Sequence, residues 1–193
     1  MGSFGDISCF SFFGNKIITT GEGGMCLTNS VKINDKLRQL RDHGMSKTRK
    51  YWHDMIGYNY RMTNIQAAIG CAQLERIDEI IGIRQDIENK YLDIFNKYNY
   101  ITKQKNFPNI KKVSWLVSAI LDKKDMDIFV QHFKSNDIDV RNFFYPLSGM
   151  DIYKQYSFGS NTISKKLSKK GINFPTHSDV DFKRIDESFK SFR

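Results

Sequence analysis

The feature that most narrows the folds open to this chain is a capped apolar stripe that begins at Thr63 and continues to Tyr98. Thr63 and Gln66 have the spacing of a capping box, in which each side chain satisfies a backbone N–H of the first helical turn. Beyond them Ile65, Ile69 and Ala72, then Leu74, Ile77 and Ile81, then Tyr91, Ile94 and Tyr98 recur at helical intervals. A break is expected near Gly82. We read the stripe as a packing surface, so other layers must cover it. Residues 113–121 alternate as a strand does, with Trp115, Val117 and Ala119 on one face and Ser114 and Ser118 on the other. Met126, Phe129, Val130 and Phe133 mark a short amphipathic helix. A strand-like stretch follows at 140–145, and a last helix presents Phe182, Ile185, Phe189 and Phe192. Helix, strand, helix, strand and helix in that order describe an α/β unit over residues 63–193.

Residues 1–62 read differently. A β-like apolar run at 7–13 starts without capping or turn chemistry, as though inside a domain already under way. A second run at 25–28 follows Gly21, Gly23 and Gly24, giving two strands joined by a loop that holds Lys16. A helix comes next with Ile33, Leu37 and Leu40 on one face, and Gly44 stands where a helix C-terminus favours a left-handed residue. Residues 43–62 lack a period and carry Tyr51, Trp52, His53, Tyr58, Asn59, Tyr60 and Arg61, which together read as an ordered loop.

The 193 residues are 40% hydrophobic and 26% charged, with 3 prolines, a composition that excludes disordered and fibrous classes. The net charge of +9 would suit a phosphate-bearing partner. No nucleic-acid-binding motif accompanies it, and the lysines are spread along the chain instead of lining one helix face. Cys9, Cys26 and Cys71 are odd in number and widely spaced, so they are expected to be free, buried thiols in a reducing compartment. No apolar run is long enough to span a membrane, and a cytoplasmic location is expected. His43, His53, His132 and His177 have no metal-ligand spacing, so no metal site is expected, although His43 lies in a loop that should border a site. Glu75 and Asp78 are read as solvated charges on the polar side of a helix.

The stretch most informative about chemistry is Ser8-Cys9-Phe10-Ser11-Phe12-Phe13-Gly14-Asn15-Lys16-Ile17-Ile18-Thr19-Thr20-Gly21-Glu22-Gly23-Gly24-Met25. A lysine placed between an aromatic strand and a glycine-rich loop can be held out of water as a neutral, nucleophilic amine, which is what capture of a carbonyl compound requires. The glycines do not form a phosphate loop of the Walker type, because no Gly-Lys-Ser/Thr follows them.

These residues resemble the lysine motif of the DegT/DnrJ/EryC1/StrS family of sugar aminotransferases, with Ser11 five positions before Lys16 and Gly-Glu-Gly-Gly after it. Gly57-Tyr58-Asn59-Tyr60-Arg61-Met62-Thr63-Asn64-Ile65-Gln66-Ala67-Ala68 is similar to the family's second signature. Arg141-Asn142-Phe143-Phe144-Tyr145-Pro146-Leu147-Ser148 and Lys170-Gly171-Ile172-Asn173-Phe174-Pro175 look most like its perosamine-forming subgroup. Ser148 stands where the wider family has histidine, and Gly149 where the subgroup usually has serine.

The resemblance implies a fold type I aminotransferase of the aspartate aminotransferase-like α/β class, dependent on pyridoxal 5'-phosphate. Residues 1–62 would be the end of the large cofactor-binding domain, and 63–193 the linking helix and the small C-terminal domain. Lys16 would hold the cofactor and then shuttle the substrate proton. Ser11 would donate to the cofactor phosphate, and Asn59 would reach the phosphate of a neighbouring subunit in a homodimer. Arg61 is a weaker candidate for contact with an anionic group. The substrates implied are GDP-4-keto-6-deoxymannose and glutamate, in polysaccharide biosynthesis. The resemblance runs from Gly2 to the end yet covers about half of the family's length. The ring-stacking group and the aspartate for the pyridine nitrogen are therefore expected outside this chain, which alone would be inactive. The alternative is a noncatalytic subunit that pairs with a full-length relative.

Overall fold

The computed structural model describes residues 2–122 and 125–192. Contacts group the chain into two units, Met1–Ile80 and Ile81–Arg193, and the division falls inside one helix.

The first unit opens with strands β1 (Ser8–Ser11) and β2 (Gly24–Leu27), which pair antiparallel with Ser8 opposite Leu27 and Ser11 opposite Gly24. Helix α1 (Val31–Arg41) starts at Ser30, whose hydroxyl accepts the Ile33 N–H. The ordered loop then turns back along the helix, and the N–H groups of Tyr58 and Tyr60 donate to the carbonyls of Leu40 (2.7 Å) and Arg41 (2.9 Å). Those carbonyls have no partner within the helix, so the returning segment acts as its cap. The reversal requires glycine at position 44. Its φ is +66°, and a Cβ there would collide with the Met55 carbonyl oxygen.

Helix α2 (Asn64–Glu75) begins with the expected capping box. The break in the long stripe comes at Arg76 and not near Gly82, which lies within α3 (Ile77–Phe95). Arg76 ends one helix and starts the next. Its N–H donates to the Gln73 carbonyl, its own carbonyl accepts from Ile80, and its guanidinium grips both carboxylate oxygens of Glu79. Gly82 makes no such switch, since nothing crowds it and its loss in propensity is only about 1 kcal/mol.

The second unit holds a four-stranded antiparallel sheet in the order β3 (Ile101–Lys103), β4 (Val117–Leu121), β6 (Gly171–Phe174), β5 (Arg141–Asn142). Val117 lies opposite Phe174 and Ala119 opposite Ile172, so these four join Leu121 on one apolar face. Against it pack Tyr91, Ile94 and Phe95 of α3, Phe129 and Phe133 of α4 (Met126–Ser135), and Ile185 and Phe189 of α6 (Phe182–Ser191). The rings interlock, with Phe129 stacked on Phe133 at 4.4 Å and Phe133 edge-on to Phe189 at 4.9 Å.

Two sequence expectations change here, and three elements were not expected. The strand expected over 113–121 begins only at Val117, because Ser114 is turned inward, where its hydroxyl and Lys112 both bind the buried Glu88 carboxylate. The strand expected over 140–145 shrinks to two residues. Strands β3 and β6 and helix α5 (Thr162–Lys170) had no periodic signal strong enough to announce them. Among the described residues no helix is long and apolar enough to cross a membrane.

Candidate active site

Lys16 sits in the connection between β1 and β2. A link of that length cannot close as a tight turn, so it is held by bonds of its own. The Phe12 N–H donates to the Gly23 carbonyl at 2.9 Å, one step beyond the last strand pair. The Phe12 carbonyl in turn accepts the Thr20 N–H and the Thr19 hydroxyl, both at 2.9 Å. Residues 13–18 are thereby drawn into a short arc, and the Lys16 N–H closes its tip on the Phe13 carbonyl at 3.0 Å. Lys16 and the next three residues are half-buried, and Thr20 is buried. The turn needs glycine at position 23, where φ is +145° and a Cβ would lie 2.6 Å from the Thr20 hydroxyl oxygen.

Ser11 closes β1, and its Oγ accepts the Phe13 N–H at 3.3 Å. Accepting that bond leaves the hydroxyl proton free to donate elsewhere. The hairpin thus carries both Ser11, at the end of β1, and Lys16, in the arc that follows it.

Asn59 belongs to the returning loop of the same unit and is bridged through its backbone to Asp42. Arg61 Nε donates to Asn59 Oδ1 at 3.3 Å, which orients the amide and leaves its NH2 end to donate. The Arg61 guanidinium also lies 3.2 Å from Asp42 Oδ1, an ion contact not aligned as a hydrogen bond. Arg61 therefore works within the loop, holding Asn59 and Asp42. Tyr58 and Tyr60 stack at 5.0 Å on either side of Asn59 in sequence. His43, at φ +59°, uses its carbonyl to bind His53 Nδ1 at 2.8 Å.

The three cysteines are free but exposed, which corrects the expectation of burial. A two-stranded hairpin presents too little surface to enclose Cys9 and Cys26, which face each other at 3.8 Å. Among the described residues no group of three or more His, Cys, Asp or Glu side chains converges as a metal site would require.

Sequence reasoning missed what holds the lysine arc to the rest of its unit. The Gln73 side-chain amide binds both backbone polar groups of Thr19, and Gln66 Nε2 donates to the Glu22 carbonyl at 3.1 Å. The available signal was a polar or small set, Gln66, Gly70 and Gln73, that recurs at helical spacing inside an otherwise apolar segment.

The donor set suits one kind of ligand. The hairpin carries an amine and a neutral hydroxyl, and the returning loop, a separate element, carries an amide NH2; these are groups that would take an aldehyde and a phosphate.

The family model described as DegT/DnrJ/EryC1/StrS aminotransferase matches residues 1–193. GDP-perosamine synthase of Vibrio cholerae is 42% identical over 181 residues, which are 91% of this chain and 49% of that protein. The chain spans about half the length of the curated relatives it matches. Aminotransferase TlmJ from Streptoalloteichus hindustanus superposes with a TM-score of 0.89 at 20% identity, over 98% of this chain and 52% of that one. GDP-4-keto-6-deoxy-D-mannose-3-dehydratase of E. coli, solved with bound hydrated PLP, superposes with a TM-score of 0.85 at 23% identity, over 100% and 56%. These likenesses establish the fold as that of the pyridoxal-phosphate-dependent sugar aminotransferases of fold type I.

Proposed function

Because the chain belongs to the DegT/DnrJ/EryC1/StrS aminotransferase family, we propose that it carries the lysine-bearing part of a pyridoxal-phosphate-dependent transaminase for nucleotide-linked 4-keto-6-deoxy sugars. The observation that supports this most directly is the bonded hairpin that carries Lys16 in the arc following Ser11. The similarity to GDP-perosamine synthase supports a GDP-linked sugar as substrate, and we read that sugar as GDP-4-keto-6-deoxymannose and the amino donor as glutamate. In that reaction the amino group of glutamate ends on C4 of the sugar in place of the ketone oxygen, and glutamate leaves as 2-oxoglutarate with a ketone oxygen in place of its amino group, so the reduction at C4 is balanced by oxidation of the donor.

When bound, pyridoxal phosphate supplies an aldehyde carbon that captures amines and a ring that accepts the electrons left as a substrate C–H bond breaks. Lys16 Nζ would anchor the group. Once released by an incoming amine, it would take the proton from one carbon and return it to another, work suited to an amine held at the tip of a short, bonded arc. The Ser11 hydroxyl would donate to a phosphate oxygen. The Asn59 NH2, oriented by Arg61, would donate to the phosphate of a site on a neighbouring copy, which makes a homodimer with shared sites the working form.

The test is chemical. The 193-residue chain is incubated with pyridoxal phosphate at less than one equivalent, reduced with borohydride and mapped by peptide. The pyridoxyl group is expected mainly on Lys16, and Lys16→Ala should remove that peptide's label without moving it to a neighbour. Label spread evenly over the exposed lysines would overturn the assignment.

A further inference from the structure

We infer that Gln66 and Gln73 of α2 are positioning residues for Lys16, a reading that rests on the cofactor role proposed for that lysine. Gln66, Gly70 and Gln73 follow at intervals of four and three, so they share one side of the helix. The lysine hairpin is seated on this side. The Thr19 N–H donates to Gln73 Oε1 at 2.9 Å, and Gln73 Nε2 donates to the Thr19 carbonyl at 2.9 Å, so one side-chain amide satisfies both polar groups of one backbone residue. Gln66 is held in one orientation. Its Oε1 accepts the Thr63 N–H at 2.9 Å within the capping box, which turns its Nε2 toward the Glu22 carbonyl at 3.1 Å. Between them Gly70 admits the buried Thr20, whose methyl would lie 3.0 Å from any added Cβ.

The consequence for Lys16 follows from where the arc is fixed. Its two ends meet at Phe12 and Thr19, joined by the Thr19 hydroxyl on the Phe12 carbonyl, and Lys16 lies between. Of these ends, Thr19 is the one tied to a helix, and only Ile17 and Ile18 separate it from Lys16. A group that must attack a carbon and later move a proton needs its nitrogen held to a fraction of an ångström, and a rigid helix does this better than a loop alone. The chemistry also demands glutamine. A glutamate at position 73 could still accept the Thr19 N–H, but its carboxylate would face the Thr19 carbonyl without a proton to offer.

Three variants separate positioning from plain stability. Gln73→Leu removes both bonds to Thr19, Gln73→Glu keeps the acceptor alone, and Gln66→Glu keeps the capping-box acceptor while losing the donor to Glu22. Amide exchange at Thr19 and the share of borohydride-fixed pyridoxyl label on Lys16 are measured for each on the full chain. Thr19 should exchange at least tenfold faster in Gln73→Leu and stay close to the parent in Gln73→Glu. The Lys16 share of the label should fall at least threefold in all three, with helical circular dichroism retained. If Gln73→Leu does not fold, Gln66→Glu carries the same test, because its helix cap survives. Faster Thr19 exchange with an unchanged Lys16 share in Gln73→Leu and Gln66→Glu would reduce both glutamines to structural residues and overturn the inference. Failure of the parent chain to label Lys16 selectively would remove the cofactor reading and the positioning role with it. Thr19 exchange would then still report the clasp on its own, so the two failures are distinguishable.

Discussion

The Tyr91 ring is fully enclosed, and its hydroxyl donates to the Pro175 carbonyl at 2.8 Å. Tyr91→Phe keeps the ring packing against Phe95, Phe174 and Phe182 but leaves that carbonyl without its donor, so a loss of about 1 kcal/mol is expected in urea unfolding. The same burial has a signature in pH. Burial pushes the Tyr91 hydroxyl far above the ordinary tyrosine range, and burial beside Tyr98 raises that of Tyr100 to about 12. Both folded-state values lie above the unfolded one, so the folded state holds these protons more tightly. Their contribution is complete below about pH 10 and is lost as the pH rises through and beyond that value. Urea midpoints for the second unit should therefore be flat near pH 8 and fall steadily above about pH 10, less steeply in Tyr91→Phe. A midpoint unchanged up to pH 11.5 would contradict the argument.

Helix α2 buries no residue among those described, so it depends on its cap and on the glutamine contacts to the hairpin. Thr63→Ala removes the hydroxyl that accepts the Gln66 N–H at 3.3 Å, and about 1 kcal/mol of local stability should go with it. Because the Thr63 hydroxyl also donates to Gln66 Oε1 at 3.0 Å and so helps to hold that side-chain amide toward Glu22, amides 19–22 should also exchange faster in this variant, whereas those of α4 and α6 should not change. Gly44→Ala should be worse than Thr63→Ala. It forces a left-handed φ on alanine and sets a methyl against the Met55 carbonyl, which opens the returning loop that caps α1 and carries Asn59. Helical signal and exchange at Tyr58 and Tyr60 would reveal it, and a Gly44→Ala protein as stable as the parent would show that the loop can re-form without that close approach.

The buried apolar core runs from Ile87 to Phe192 and lies wholly in the second unit, while Thr20 and Gly44 are the buried positions among the described residues of the first. Apolar burial contributes about 25 cal/mol per Å² and is the main favourable term in folding, so the two units should differ in resistance to opening. Hydrogen exchange on the whole chain should show α4, β4, β6 and α6 protected to near the global limit, with β1, β2 and α1 opening through smaller fluctuations. Equal protection in both units would mean that the hairpin and its glutamine contacts stabilise the first unit far more than its burial suggests.

Some of this was written in the chain itself. The capping box at Thr63, the inward pairs Phe129 with Phe133 and Ile185 with Phe189, and the left-handed Gly44 all depend on residues within a few positions of one another, and local chemistry acts before any tertiary contact. The hairpin around Lys16 and the loop around Asn59 were legible for the same reason, helped by a motif whose spacing is local. Contacts between distant segments were not. Ser114 turns inward because Glu88, a member of α3, is there to receive it. Strand β6, short and partly polar, is a strand because β4 and β5 lie on either side. Gln73 meets Thr19 across 54 positions of sequence, and no periodicity specifies which helix face receives which loop. Spacing within an element sets what it can bury or bind. Only the packed structure decides what arrives to be bound, because the choice among partners is made by shape and by the cost of leaving polar groups unpaired.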